Sequence, residues 1–465
     1  MDADPPVMKP NGHENSDGQD NSLTTPMPQV LLGEDPYDSG YFSNSASSKW
    51  SPNIDTRDGL NTLFTPIDTH INNDTEDFGD FADSDNEMDV EESCESWKAY
   101  DSRETSYVFY PVYVGEVLNQ RYQVEHKISH GATSTVWMAR DLQGDIDVAL
   151  KVMCSGEWAE HEICIQDEVL QSVQETSHLV TYIETFVLHG DDRDHQVLVL
   201  PLVGQYVVPH VLKRAPMTTR MSAAHQLLKA LEGLHKGQII HRDLTDRNCM
   251  WGMTPLHNLI RSAKYKALRR PLKKAIPFTK LAKYGELVRP MKVPDRLRTE
   301  QFYLADFGLA MKVGDEPLYG FPPMQFCSPD RLHGQNPTFA CDMWSYMIVF
   351  AELYLSHPPF PDLGEGGVVT GMVQFLGPLP AEWKGSYIID GDHLDSWYDQ
   401  DEKFDPKLAL DERIKHFRPD VDPVERELVR SIMAQVFTFD PSKRLSATEL
   451  LEDPLFKTLM EIYDC

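Results

Sequence analysis

The sequence predicts the α+β class: one two-lobed domain of roughly 360 residues with insertions, behind a disordered acidic tail. Three observations predict it. Residues 1–100 hold 22 Asp and Glu against 4 Lys and Arg, a net of −18 out of −30 for the chain. That stretch is also poor in aliphatic residues and rich in Asn, Ser, Asp and Pro, so it buries too little apolar surface to offset the entropy of ordering. From Tyr107 the pattern turns to apolar alternation punctuated by Gly and Asn, the mark of strands, and residues 221–235 later carry a helical pattern. The expected boundaries are a tail over 1–106 and a folded domain over 107–460. The domain divides into a first lobe (107–200), a connecting hinge (201–205) and a second lobe (206–460).

A net charge of −30 argues against nucleic acid or an anionic membrane as the main partner. The seven cysteines are an odd number without a CxxC pair and read as reduced, mostly buried thiols. The start carries no leader pattern, and the most apolar runs, such as 197–208, fall short of the roughly 20 residues a membrane span needs. A soluble, intracellular monomer is expected, in the cytoplasm, the nucleus or both.

Within the tail, Thr25-Pro26, Ser51-Pro52 and Thr65-Pro66 are candidate proline-directed phosphosites, and Ser84 lies in an acidic SDNE context. Residues 77–81, DFGDF, read either as an acidic–aromatic docking peptide or as an ordinary solvated run. Residues 121–124 then lead into 128–137, ISHGATSTVW. A tight turn between two strands can lay its N–H groups over phosphates, and Gly131 permits close approach, although Ser129 and Ser134 stand where further glycines would be usual. One strand later, VALK (148–151) places Lys151 inside an apolar run, which is costly unless the ammonium is paired. A phosphate and a helix-borne carboxylate would compensate it. Glu162 is followed by Ile163, Ile165, Val169 and Val173, an acceptable inward helix face. Glu168 has the more ordinary spacing from Lys151 but poorer apolar followers; both stay open, with Glu162 preferred. VLVL (197–200) runs into PLVG (201–204) as a buried strand. It is either plain core or the wall of a nucleotide pocket, with Leu200 behind the base and the Pro201 carbonyl and Val203 N–H at its edge.

Residues 239–248, IIHRDLTDRN, offer an acid at Asp243 and an amide at Asn248, and Asp306-Phe307-Gly308 follows. A carboxylate to accept a hydroxyl proton, with an amide and a second carboxylate to hold a divalent cation, is the set that phosphoryl transfer to a protein requires.

With Gly131, Lys151, Asp243, Asn248 and the Asp306 triplet in order, the chain resembles the eukaryotic protein kinase superfamily over about 110–460. The resemblance implies a small antiparallel β lobe plus one helix, a large mainly helical lobe, and protein substrates. It also implies ATP among Ile128, Gly131, Ser134, Val136, Ala149, Lys151, Leu200, Pro201, Val203 and Met250, with Glu162 or Glu168 on Lys151. Asn248 and Asp306 would bind Mg2+, Asp243 would take the substrate proton, and Arg242 would anchor an ordered activation loop. Ser328-Pro329-Asp330 stands at the Ala-Pro-Glu position, Asp342 opens the long central helix, and Arg444 would pair with Asp330. Retention of Lys151, Asp243, Asn248 and Asp306 favours an active enzyme over a kinase-fold scaffold.

GEVLNQRY (115–122), STVW (134–137) and LGPLP (376–380) with Trp383 resemble SR-protein kinases and their fungal relatives, although that group usually has Thr at Arg242 and Arg at Cys327. Thr245, Pro323 and Arg247-Asn248 resemble tyrosine kinases, so both hydroxyl types stay open, with Ser/Thr preferred. Between Leu309 and Cys327 the only hydroxyl is Tyr319. A constitutively ordered loop is therefore expected, with Asp315 or Glu316 in place of a phosphate. Finally, residues 253–300 are an insert with 13 Lys and Arg against 3 Asp and Glu, including an import-like RRPLKK at 269–274. It is either a solvated basic loop or a dock for the acidic tail, or for acidic substrates, near the cleft.

Overall fold

The computed structural model describes residues 78–465 except 191–192, 277–282, 318–319, 364–365, 389–396 and 399–408, and omits the side chains of 210 and 211. The three Thr/Ser-Pro sites of the tail and Tyr319 lie outside the described residues.

The first described elements fall inside the stretch expected to be tail. They are β1 (Asp80–Phe81), α1 (Glu87–Ser93) and a 3-10 turn over Trp97–Tyr100. The small lobe follows as β2 (Val117–Leu118), β3 (Tyr122–His130), β4 (Ser134–Asp141), β5 (Ile146–Met153), α2 (Trp158–Ser172), β6 (Glu184–His189) and β7 (Asp194–Pro201). Its sheet is antiparallel in the order β2-β3-β4-β5-β7-β6. Val124, Trp137, Ala139, Val148, Leu150, Val197 and Val199 pack on one face of it, as period-2 alternation requires.

The large lobe begins with α3 (Pro209–Leu212) and α4 (Met217–Lys236), then the short β8 (Ile239–Ile240) and β9 (Cys249–Met253). The insert contributes α5 (Arg261–Leu268), β10 (Leu272–Ala275) and β11 (Glu286–Val288). The chain returns through β12 (Arg298–Leu304) and β13 (Met311–Lys312) to α6 (Pro329–Leu332) and α7 (Phe339–Leu355). Helices α8 (Gly367–Leu376), α9 (Leu410–Phe417), α10 (Pro423–Ala434), α11 (Ala447–Glu452) and α12 (Pro454–Ile462) complete it.

Helix α7 is buried on every side, from Cys341 to Leu355, as expected of a helix that is apolar all round. The Thr338 side chain caps its first turn by accepting from Ala340 N, and the helix stops at Ser356, whose φ of 60° is left-handed. The predicted Arg444–Asp330 ion pair forms at 2.5 Å with both side chains buried.

Two expectations need correction. The tail boundary at 106 is too late, because β1 joins β10 and β11 of the insert in one sheet, in the order β1-β10-β11. The insert is also not a solvated loop: it docks residues of the acidic stretch, as one of the two readings expected, but it does so on the small lobe. Lys264 reaches Glu125 at 2.7 Å and Asp147 at 2.5 Å, all three buried, and Lys273 meets Glu286 at 3.0 Å. Arg270 pairs with Asp80, Lys274 with Glu87 and Glu91, and Arg261 lies over the Phe78 ring. The acidic–aromatic run therefore docks within its own chain. Apolar side chains of both segments, Val90, Cys94 and Tyr100 with Ile276 and Leu287, pack together beneath these ion pairs, which fix how the two segments meet.

Candidate active site

The face of the small-lobe sheet that carries Lys151 is set by register. Val136 lies opposite Lys151, Met138 opposite Ala149, and Ala149 opposite Leu200. Residues two apart share a face, so Val136, Ala149, Lys151 and Leu200 line one wall. Ile128 packs against Met138 and the insert residues Leu268, Met291 and Val293. Ser134 starts β4 and is buried, whereas Gly131 is exposed at the turn, where an added Cβ would meet nothing within 4 Å. The hinge from Pro201 through Val203 continues into residues that pair with β9. Gly204 N donates to Trp251 O at 2.8 Å, Trp251 N donates to Gln205 O at 3.0 Å, and Tyr206 bridges Met250. A Cβ on Gly204 would stand 2.9 Å from the Trp251 carbonyl, so this close approach needs glycine.

Helix α2 settles which glutamate faces Lys151. Glu162, Ile165, Gln166 and Val169 are its buried positions, at helical spacing, so Glu162 shares the inward stripe. Lys151 Nζ donates to Glu162 Oε1 and Oε2 at 2.9 and 2.7 Å and to Asp306 Oδ1 at 3.0 Å. Glu168 points the other way and pairs with Lys312 at 2.7 Å. Burial alone would pull the Lys151 pKa down, but the Asp306 and Glu162 carboxylates outweigh it and hold it above the usual lysine value. Gln166 orients Glu162 at 3.1 Å, and the ring of His161, one residue earlier, donates through Nε2 to Ala310 O at 2.9 Å. The helix is thus tied to the segment that follows Asp306.

The catalytic loop hangs between β8 and β9. Asp342, at the start of α7, accepts from His241 N and Arg242 N, both at 2.8 Å, and contacts His235 Nε2 at 3.0 Å. This anchoring holds Arg242 at a φ of 67°, a conformation that costs energy for a non-glycine residue. His241 Nε2 donates to Ala305 O at 3.2 Å while its Nδ1 accepts from Asp243 N at 3.3 Å, which assigns the ring's tautomer. Asp243 accepts at Oδ2 from Asn248 Nδ2 at 2.8 Å, and the same Nδ2 donates to the Asp243 carbonyl at 2.8 Å. Asp306, at a φ of 67°, accepts from Gly308 N at 3.1 Å. Burial, then the nearby Asp306 charge, push the Asp243 carboxyl up to about 7. Lys151 outweighs burial at Asp306 and lowers its pKa.

Arg242 donates to Leu309 O at 3.0 Å and Gly320 O at 3.1 Å. It therefore grips backbone carbonyls on both sides of the loop. These two hydrogen bonds tie both ends of the segment to the catalytic loop. Thr245 is buried, and its Oγ1 accepts from Asn248 N at 3.3 Å. The sequence reading missed the anchoring role of Asp342, assigning that residue only to the start of a helix. Its signal was available, because an acid opening an otherwise apolar helix needs buried donors.

Sheet lobe, helical lobe and a lysine–glutamate–aspartate chain across the cleft define a phosphotransferase of the protein kinase type. The chain belongs to the protein tyrosine and serine/threonine kinase family, which its residues 122–375 match. It is a protein kinase. A serine/threonine protein kinase of Aspergillus fumigatus is 27% identical over 366 residues, covering 75% of this chain and 87% of that protein. The serine/threonine-protein kinase SRPK of Physarum polycephalum is 24% identical over 385 residues, covering 74% and 88%. SRSF protein kinase 3 of Mus musculus is 33% identical over 155 residues, covering 30% of this chain and 27% of that protein. The similarity to SR-protein kinases expected from the short motifs thus holds at modest identity. No helix among the described residues is long and apolar enough to cross a membrane.

Proposed function

We propose that this kinase transfers the γ-phosphate of ATP to serine or threonine hydroxyls of protein substrates, with Asp243 as the proton acceptor. The observation that carries the reading is the connected set Glu162–Lys151–Asp306 beside Asn248–Asp243, with 2.7–3.0 Å contacts within each group. The donor set fits a nucleotide and a hard cation. Asp306 keeps 43% of its side chain exposed, and Asn248, its Nδ2 committed to Asp243, offers its carbonyl oxygen. Mg2+ at Asp306 and Asn248 would neutralise charge on the phosphate oxygens. Lys151 would orient the α and β phosphates while Glu162 holds the ammonium in place. Ile128, Gly131, Ser134, Val136, Ala149, Leu200, Pro201, Val203 and Met250 would enclose the rest of the nucleotide.

Asp243 would accept a hydrogen bond from the incoming hydroxyl and take its proton, and a pKa near 7 suits a base working at neutral pH. Arg242 positions this acid through the backbone and holds the activation segment by its carbonyls. The serine/threonine preference is supported by the relatives from Aspergillus fumigatus and Physarum polycephalum, both serine/threonine protein kinases. Tyrosine is the second reading, favoured by Thr245, which occupies the place where Ser/Thr kinases usually carry lysine and which here spends its hydroxyl on Asn248 N.

Phosphoamino-acid analysis of a peptide array treated with wild type and Asp243→Asn tests both readings. Phosphoserine and phosphothreonine lost in the variant are expected. Phosphotyrosine alone would overturn the preference, and transfer undiminished in the variant would overturn the role of Asp243.

A further inference from the structure

Lys127 lies on β3, next to Ile128 at the mouth of the phosphate-binding turn, and its side chain is 0% exposed. A buried ammonium without a partner either loses its proton or pulls its strand toward water. Its partner comes from the acidic segment. Glu95, 32 residues earlier and 4% exposed, receives the Lys127 ammonium, and the buried Tyr100 hydroxyl donates to the same carboxylate. The ammonium also sits 5.1 Å from the centre of the Trp137 ring on β4. On the backbone side, Met291 N of the insert donates to Lys127 O at 2.8 Å. The two additions to the fold therefore grip the same residue from two directions.

The grip continues toward the turn. The His130 ring is acted on by the Ser93 backbone and by the charges of Glu95, Lys127 and Arg247. Val90, Cys94, Tyr100 and Phe109 share a core with Cys154 of the small lobe and Ile276 and Leu287 of the insert. The turn itself is held through its backbone, with Cys154 N donating to Thr133 O at 2.7 Å. Its hairpin closes through Gly131 N to Ser134 O at 2.8 Å, and Gly131 has no neighbour for a side chain to touch. Holding this turn at one height above the cleft falls to its strands and to whatever pins them.

We propose that Glu95 is a positioning residue for the nucleotide site. Residues 80–101 would act as a strap whose ion pair on Lys127 fixes the phosphate-binding strand. The proposal rests on the kinase reading above. On this geometry the acidic segment supports nucleotide binding. Loss of the pair moves β3 and Ile128 but leaves Asp243, Asn248 and their anchor Asp342 untouched, so ATP affinity should suffer more than turnover.

The test uses the full chain. Mg-ADP binding is measured by calorimetry, and KM for ATP and kcat are measured on a protein substrate, for wild type, Glu95→Gln, Tyr100→Phe and the neutral pair Glu95→Gln with Lys127→Met. Glu95→Gln should raise KM for ATP and the Mg-ADP Kd by about tenfold, equivalent to ~1.4 kcal/mol, with kcat at saturating ATP within about threefold. The neutral pair should recover most of that loss, because a buried pair replaced whole is far less costly than one broken. Tyr100→Phe, which removes one hydroxyl and should still fold, is expected to shift Kd by about threefold in the same direction.

Unchanged KM and Kd in both single variants would overturn the proposal. So would a neutral pair as weak as Glu95→Gln, or a fall confined to kcat. Failure of the kinase reading looks different, because wild type itself would then show neither Mg-ADP binding nor transfer.

Discussion

Strands β9 and β12 form one antiparallel pair, and the two ends of that pair behave differently. At one end stand Asn248 and Asp306, brought together where Ala305 N donates to Asn248 O at 2.9 Å. At the other the strands part at Met253 and Arg298, and the insert leaves for the small lobe. Each end serves a buried lysine held by two carboxylates: Lys151 by Glu162 and Asp306, and Lys264 by Glu125 and Asp147. The difference is access. Asp306 keeps 43% of its side chain exposed, whereas Asp147 keeps 3%. A lysine between two acids is a ligand site only where one of those acids also faces solvent. Where all three are enclosed, the same arrangement is a clamp.

The comparison breaks most sharply if the open end proves structural. Asp306→Asn should lower kcat by about 10³-fold or more, because positioning and charge neutralisation supply most of the catalysis in phosphoryl transfer. Its melting temperature should stay close to wild type. A large loss of stability with activity retained in the folded fraction would refute that division.

At the closed end, Lys264→Met leaves buried Glu125 without its paired ammonium and Asp147 with Arg140 at 3.5 Å. It should cost about 3–5 kcal/mol of unfolding free energy by denaturant titration, the usual penalty for breaking a buried pair. Exposed Lys266→Ala, on the same helix, should stay within about 0.5 kcal/mol. Equal small effects from both would remove the clamp.

The pH dependence sharpens the open end further. Asp243 must be ionised to accept a proton, and its pKa is raised to about 7, first by burial and then by Asp306. The catalytically competent form is therefore present above that value and lost as pH falls through it. The plot of kcat/KM against pH should show an acid limb with a midpoint near 7, falling about tenfold per unit below it. A flat profile between pH 5 and 8 would mean that the carboxylate ionises at its ordinary value.

Much of this molecule was legible in short motifs. The HRD run with Asn248, the Asp306 triplet, Lys151 in an apolar strand and the Arg444–Asp330 pair could be read because a reaction or a buried ion pair constrains residue types at fixed spacing. The choice between Glu162 and Glu168 was nearly legible, since helical periodicity favours the glutamate that shares a stripe with Ile165 and Val169. The second glutamate could be set aside only once its partner, Lys312, was seen 144 residues away.

By itself, then, the sequence determined the fold class, the family and the chemistry, all of which rest on local pattern. Tertiary structure decided the rest: where the acidic tail ends, what the basic insert touches, and why Arg242 and Thr245 are held as they are. The physical reason is that a charge count records sign but not burial. No motif singles out Glu95 or Lys127, and only the fold encloses both and makes them partners. Likewise Asp342 read as the start of a helix until the loop amides of His241 and Arg242 were found on its carboxylate.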